Sequence, residues 1–207
     1  MERVVIGVDI GLRHLISTSA NYGFGDETML SAIRGSFDEA ESWIAKQICI
    51  GSAWLCDLAK KKKADIIALE NLKVSHLDVG KHEKEVLRAL INKIKEDSSQ
   101  CGLQVVFVSA LYSSQCCSNC GRLGYREGIR FFCPYCKYED CADVNAARNI
   151  GIRYIFQQAL KELEKGKDPW NKYFLATQSS PKTMEELWIY PVINMKRKKL
   201  FSEEQTN

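Results

Sequence analysis

Two groups of residues in this chain have the types and spacing for chemistry. The first is a pair of Cys-x-x-Cys units, Cys117/Cys120 and Cys133/Cys136, with twelve residues between them. Four thiolates are the complete ligand set of a tetrahedral zinc, and the short spacer lets both pairs converge on one ion. Such a site has no open position, so the zinc is expected to be structural, stiffening a loop too small for its own core. Cys116 adjoins Cys117, but only Cys117 has the two-residue spacing to Cys120. The competing reading is a redox dithiol, which comes as one pair near a helix rather than two matched pairs.

The second group is three acids far apart in sequence. Asp9 ends the apolar run Val4-Val5-Ile6-Gly7-Val8, and Glu70 ends Ile66-Ile67-Ala68-Leu69. An acid at the end of a buried strand lies at the edge of the core, where burial or a metal must account for it. Asp143 opens an Ala-rich helical stretch seven residues after Cys136. Alone it reads as a helix N-cap, a position that favours Asp. Together, three carboxylates at the ends of neighbouring elements suit a pair of magnesium ions, because hard cations take oxygen ligands. A metal pair of this kind activates water and stabilises the leaving oxygen in phosphodiester cleavage. Asp140 is either an accessory ligand or a surface residue of the cysteine segment.

The rest of the chain must position these groups. Val4 to Gly11 is a strand apolar on both faces, as central strands are. His14 to Ala20 is a second strand, antiparallel to the first because the link is too short for a parallel crossover. Glu27 to Ile33 is expected to add a third strand after the turn cluster at 21–26. Ser36 and Glu39 fit a capping box for a long helix from about Phe37 to Lys62, with Gly51-Ser52 as a place for it to bend or split. Ala64 to Leu72 is a strand, Glu83 to Ser98 an amphipathic helix, and Leu103 to Val108 the fifth strand. The cysteine segment follows, then a helix from Asp143 to about Lys165, ended by Gly166 and Pro169. Residues 167–207 read as a tail for docking on the body, in part disordered. This order predicts a mixed α/β five-stranded sheet flanked by helices, the ribonuclease H-like arrangement. The nuclease-type domain is then split into 1–112 and 141–166 by a zinc-ribbon insertion at 113–140.

Bulk properties fit that plan. With 207 residues, 45% hydrophobic and 27% charged, the chain can bury one core and a small metal-stapled unit. The net charge of +3 permits a nucleic-acid partner without requiring one. The basic runs Lys60–Lys63 and Lys196–Lys199, each taken alone, read first as solvated faces. Nine cysteines in an odd count, with four of them in metal spacing, fit a reducing compartment better than a disulfide framework. Glu2 and Arg3 lead directly into a strand with no signal-peptide pattern, which points to the cytoplasm. No apolar run approaches the roughly 20 residues that span a bilayer.

The motifs Ile6-Gly7-Val8-Asp9-Ile10-Gly11, Leu69-Glu70-Asn71-Leu72, Ser114 to Gly121 and Asp143-Val144-Asn145-Ala146-Ala147-Arg148-Asn149-Ile150 resemble, in that order, the RuvC nuclease and zinc-ribbon half of TnpB. TnpB proteins are transposon-encoded, RNA-guided DNA nucleases related to the compact type V CRISPR effectors. The resemblance covers residues 4–150. It implies a RuvC fold, Asp9, Glu70 and Asp143 as catalytic magnesium ligands (manganese substituting), and zinc on Cys117, Cys120, Cys133 and Cys136. DNA and a guide RNA are the implied partners. Arg122, Arg126 and Arg130 in the ribbon, and Arg148 in the last motif, are the candidate nucleic-acid contacts; each reads equally as a solvated or packing residue. Such proteins carry an N-terminal half that grips the guide and target, whereas this chain opens at the first RuvC strand. The guide-handling half is thus absent, supplied by a protein partner, or lost because this is a fragment. A stand-alone structure-selective nuclease and a non-catalytic zinc-ribbon scaffold are the alternatives.

Overall fold

The computed structural model describes residues 3–20, 23–35, 38–72, 74, 77–109, 112–165 and 173–176. Strand β1 (Arg3–Asp9) is central. It pairs antiparallel with β2 (Ile16–Thr18), which pairs with β3 (Gly23–Phe24). On its other side β1 runs parallel to β4 (Ile66–Glu70), and β4 parallel to β5 (Gln104–Val108), giving the order β3-β2-β1-β4-β5. This is the mixed five-stranded RuvC-like sheet that the sequence predicts.

Helices cover both faces. Ile6 and Val8 of β1, with Ile67 and Leu69 of β4, pack against α1 (Glu27–Arg34), α2 (Asp38–Lys61) and α3 (Lys81–Gln100). Val5, Ile66 and Ala68 pack against α4 (Ala142–Glu164), through Ile150, Tyr154, Ile155, Phe156 and Ala159. Strand side chains alternate between faces. Asp9 therefore shares the α4 face with Val5 and Gly7, and Glu70 shares it with Ile66 and Ala68. Parity alone delivers both acids to one side of the sheet.

Helix α4 comes unusually close to β1. A methyl carbon added to Gly7 would overlap the carbonyl oxygen of Ala147 and lie 2.5 Å from the Gly151 nitrogen. A methyl on Gly151 would in turn meet the Gly7 backbone at 3.2 Å and overlap Leu175. Glycine at both positions lets the helix backbone rest directly on the strand.

Three expectations are corrected. Residues 27–33 form helix α1 rather than a third strand. Asp26 caps it, its carboxylate accepting from Thr28 N–H at 2.9 Å, and Met29 and Ile33, four apart, are both buried. A helical period and a strong N-cap outweigh the short β-like run. The third strand is instead the two-residue β3. Helix α2 is continuous through Gly51-Ser52. Gly51 makes room there for the Phe24 ring, which a methyl would meet at 2.7 Å. Third, the sheet gains a strand that the sequence reading left as tail: β9 (Tyr173–Leu175) runs parallel to the first half of β1. Ser19 ties this junction together. Its hydroxyl accepts from Gly7 N–H at 3.1 Å and donates to Ala176 O at 2.8 Å. The Ser36 capping residue and residues 177–207, including the basic run at 196–199, lie outside the described residues. Among the described residues no helix is long and apolar enough to cross a membrane.

Gly7→Ala should cost about 1–3 kcal/mol through overpacking, read as a lower urea midpoint. Unchanged stability would show that α4 does not rest on β1 at this point.

Candidate metal and nucleic-acid site

A second, three-stranded sheet follows β5: β6 (Tyr125–Glu127), β7 (Arg130–Phe132) and β8 (Glu139–Cys141), in antiparallel order. Phe131 is buried at its centre against the cysteines and Ala142. Two turns of the same design present the thiols. In the first, Gly121 N–H donates to Cys117 O at 2.8 Å; in the second, Lys137 N–H donates to Cys133 O at 3.0 Å. The residue four after each leading cysteine takes a positive φ, 73° at Gly121 and 61° at Lys137. Glycine adopts this freely, and lysine at some cost.

Cys117 and Cys136 Sγ are 3.6 Å apart, and Cys120 and Cys133 Sγ are 3.5 Å apart. A Zn–S bond of about 2.3 Å implies tetrahedral edges of about 3.8 Å, so the thiols are already at zinc spacing. Burial pushes the Cys117 thiol far up and that of Cys120 up to about 11. Without a cation these sulfurs stay protonated; a bound zinc would supply the charge that ionises them. The donor set and spacing both fit a structural zinc.

Helix α4 holds this unit against the body. Asn145 accepts from Ser118 N–H at 2.9 Å and donates to Cys116 O at 2.7 Å. Asn149, one turn on, donates to Ser113 O at 2.7 Å and Cys116 O at 2.6 Å. Both asparagines are buried. Arg148 donates to Asp140 at 2.5 Å and lies over the Tyr138 ring, while the Tyr138 hydroxyl also bonds Asp140. Arg148 and Asp140 therefore latch helix to ribbon, and Asp140 stands in β8 rather than on the α4 face.

Asp9, Glu70 and Asp143 converge on the α4 side of the sheet. The register Val8↔Leu69 sets Asp9 beside Glu70 on adjacent parallel strands. Burial, then the charges of Glu70 and Asp143, hold the Asp9 carboxyl well above the usual carboxylate range. The neighbouring Glu70 side chain adds to the upward shift of Asp9, the smallest of the causes after burial and the two carboxylate charges. Burial also raises Glu70, opposed by Ser113, whose hydroxyl donates to it at 2.6 Å, and by the charge of Arg153. Arg153 is fixed by its bond to Ser109 O at 2.6 Å.

Asp143 lies one residue inside α4, not at its cap. Its carboxylate serves side chains: Oδ2 meets His14 Nδ1 at 3.0 Å, and Oδ1 accepts from Arg126 Nη2 at 3.0 Å. Only 13% of its side-chain surface is exposed. An acid in the first turn also complements the helix dipole.

Of the four arginines singled out in sequence, Arg126 alone is shown reaching the acids. Arg122 lies over the exposed Tyr135 ring at 4.8 Å, and Arg130 is exposed, 3.8 Å from Glu139. A cleft of about 300 Å³ opens beside Asp143, lined by Arg13, His14, Arg34 and Arg126 among others. Sequence reasoning missed His14, Ser113 and Arg153. Nothing in their local pattern marks them; the fold brings them to the acids across 129, 43 and 83 residues.

Two outcomes follow from this geometry. Metal analysis should find one zinc per chain, lost in Cys133→Ser; full metal content in that variant would refute the ligand set. Asp9 is an acid raised by folding, so it adds stability below its ordinary pKa and loses it as pH rises through the raised value. Without divalent cations, Asp9→Asn should therefore melt higher than the parent at neutral pH, with the gain shrinking on acidification. A lower melting temperature at neutral pH would contradict the assigned burial and repulsion.

Parts of this chain are similar to known proteins. Residues 88–150 match the family described as Cas12f1-like, TNB domain. A CRISPR-associated endodeoxyribonuclease Cas12f1 of Sulfoacidibacillus thermotolerans is 36% identical over 109 residues, 50% of this chain and 26% of that protein. A second Cas12f1, from an uncultured archaeon, is 28% identical over 146 residues, 62% of this chain and 27% of that protein. Among solved structures, a CRISPR-Cas12f ternary complex has a similar fold with TM-score 0.57, 21% identity, and coverage of 73% of this chain and 40% of that one. A Cas12f1-sgRNA-target DNA complex gives TM-score 0.55 at 21% identity, covering 70% and 49%. The chain thus spans about a quarter of the length of the curated relatives it matches. Over the matched residues the chain is similar to Cas12f1 proteins, and its segment 88–150 matches the Cas12f1-like TNB family, on a fold like that of Cas12f.

Proposed function

We propose that this chain is the nuclease portion of an RNA-guided DNA endonuclease, with Asp9, Glu70 and Asp143 as its divalent-metal ligands. The observation that carries the reading is the convergence of three acids from the ends of β1 and β4 and the first turn of α4. Burial first, and then the charges of Glu70 and Asp143, push the Asp9 carboxyl well above the usual carboxylate range. Repulsion of this size in a buried place is what a dication relieves, and an all-carboxylate donor set suits magnesium, with manganese in its place. Bound there, magnesium would supply an activated water and charge stabilisation at the leaving oxygen.

The chain's own residues would do the rest. Ser113 holds Glu70 at the rim of the sheet. His14 and Arg126 fix the Asp143 carboxylate from both sides. Arg13, Arg34 and Arg126 give the adjoining cleft a basic lining that suits a phosphate backbone. The nuclease domain is read as 1–112 and 141–166, interrupted by the ribbon at 113–140. Arg122 stacked on exposed Tyr135 offers a flat cationic face to nucleic acid. The relatives include complexes with sgRNA and target DNA, which supports guide RNA and DNA as partners here, with guide handling by a partner protein or by sequence outside this chain.

The test is cleavage of single-stranded and branched DNA by the full chain, purified with the RNA and protein that accompany it. Asp9→Ala and Glu70→Ala should each lower the magnesium-dependent rate by about 100-fold or more, at least about 2.7 kcal/mol of barrier. Cleavage as fast as the parent's would remove these acids from the mechanism.

A further inference from the structure

The ribbon's last strand brings a thiol to the acid group that neither the zinc cluster nor the proposed chemistry uses. Cys141 ends β8, paired with Arg130 across the ribbon sheet. The next residue, Ala142, is pinned by its N–H to Ile129 O at 2.8 Å. His14 stands in the loop after β1, and Asp143 in the first turn of α4. One imidazole nitrogen, one sulfur and one carboxylate oxygen of these residues lie within 4.8 Å of one another. His14 Nδ1 and Asp143 Oδ2 are already 3.0 Å apart.

We propose that His14, Cys141 and Asp143 form a second metal site, distinct from the four-thiol cluster, for a thiophilic divalent cation of the zinc class. A nitrogen, a sulfur and an oxygen are the three kinds of ligand that zinc takes, at about 2.0–2.3 Å. That implies ligand separations of about 3.3–3.8 Å, so the trio needs to contract by about 1.5 Å at most, within reach of side-chain rotation. A thiolate and a carboxylate match the charge of a dication. The mixed soft and borderline donors favour zinc, cobalt or cadmium over magnesium. Arg126 holds the other oxygen, Asp143 Oδ1, and leaves Oδ2 to the trio. His14 and Asp143 both line the open cleft, so an ion can enter, and a fourth position faces solvent for water or a phosphate oxygen. A site with three protein ligands and an open position differs in kind from the closed four-thiol cluster.

The consequence for cleavage rests on the proposed function; the binding does not. An ion held by the trio takes Asp143 away from Asp9 and Glu70, so zinc acts as an inhibitor that competes for one ligand of the magnesium group.

The probe is cobalt added to the full chain with its structural zinc in place. The expected result is a thiolate-to-cobalt charge-transfer band that saturates at one cobalt per chain, whatever further cobalt the carboxylates take without such a band. Cys141→Ser should lose that band while keeping the first zinc by metal analysis. His14→Ala, a loop change, should weaken cobalt binding by about tenfold or more, about 1.4 kcal/mol. A titration that stops at one metal per chain overturns the site, as does a band that survives in Cys141→Ser. A second measurement separates site from function. Added zinc should slow magnesium-dependent cleavage by the parent about tenfold, and do so far less in Cys141→Ser, each against its own rate without added zinc. Equal inhibition of both overturns the competition. Cobalt binding as described, with no cleavage under any condition, leaves the site standing and removes the nuclease reading instead.

Discussion

Helix α4 lies directly on strand β1, backbone against backbone, because Gly7 and Gly151 carry no side chains to hold them apart. Everything at the site is measured from that contact. Two residues beyond Gly7 the strand ends in Asp9. Eight residues before Gly151, about 12 Å back along the helix, stands Asp143. The crossing point sets how far each acid lies from it, and it brings Asp143 near enough for its charge to raise Asp9. The same helix then grips the ribbon with Asn145, Asn149 and Arg148. Sheet, third acid and zinc unit are therefore parts of one rigid alignment, and a shift of α4 would move all three.

The electrostatics follow from the packing. Parity puts Asp9 and Glu70 on the covered face of the sheet, and the close helix adds Asp143 beside them. Burial and the neighbouring carboxylates raise Asp9 well above the usual range, and burial raises Glu70 as well. Arg126, reaching over from the ribbon, and Arg153, from α4, partly offset this charge. The ribbon thus contributes to the acid group with a guanidinium as well as standing next to it. Its zinc, by closing the two cysteine turns, would hold Arg126 and Cys141 where they face Asp143.

Some of this was legible in the sequence. The β-branched runs before Asp9 and Glu70 have the form of buried strands, and the paired cysteines have zinc spacing; both are local patterns with a period or a fixed offset. The short stretch 27–33 misled because its β-like composition hides a helix held by the Asp26 cap and a four-residue apolar repeat. Strand β9 was not legible, since its pairing with β1 depends on contacts across more than 160 residues. His14, Ser113 and Arg153 carry no local signature at all, and their roles appear only when topology brings them to the acids. Arg126 was legible as a charge but not as a partner of Asp143.

The central claim is that the three acids are a ready-made site for a pair of hard divalent cations. The most direct test is manganese binding followed by electron paramagnetic resonance on the chain with zinc in its four-thiol cluster alone. The account predicts two manganese ions per chain with a spin-coupled spectrum, lost when Asp9 is replaced by Asn. Failure to bind manganese, or a spectrum of isolated ions that the Asp9 substitution leaves unchanged, would contradict it.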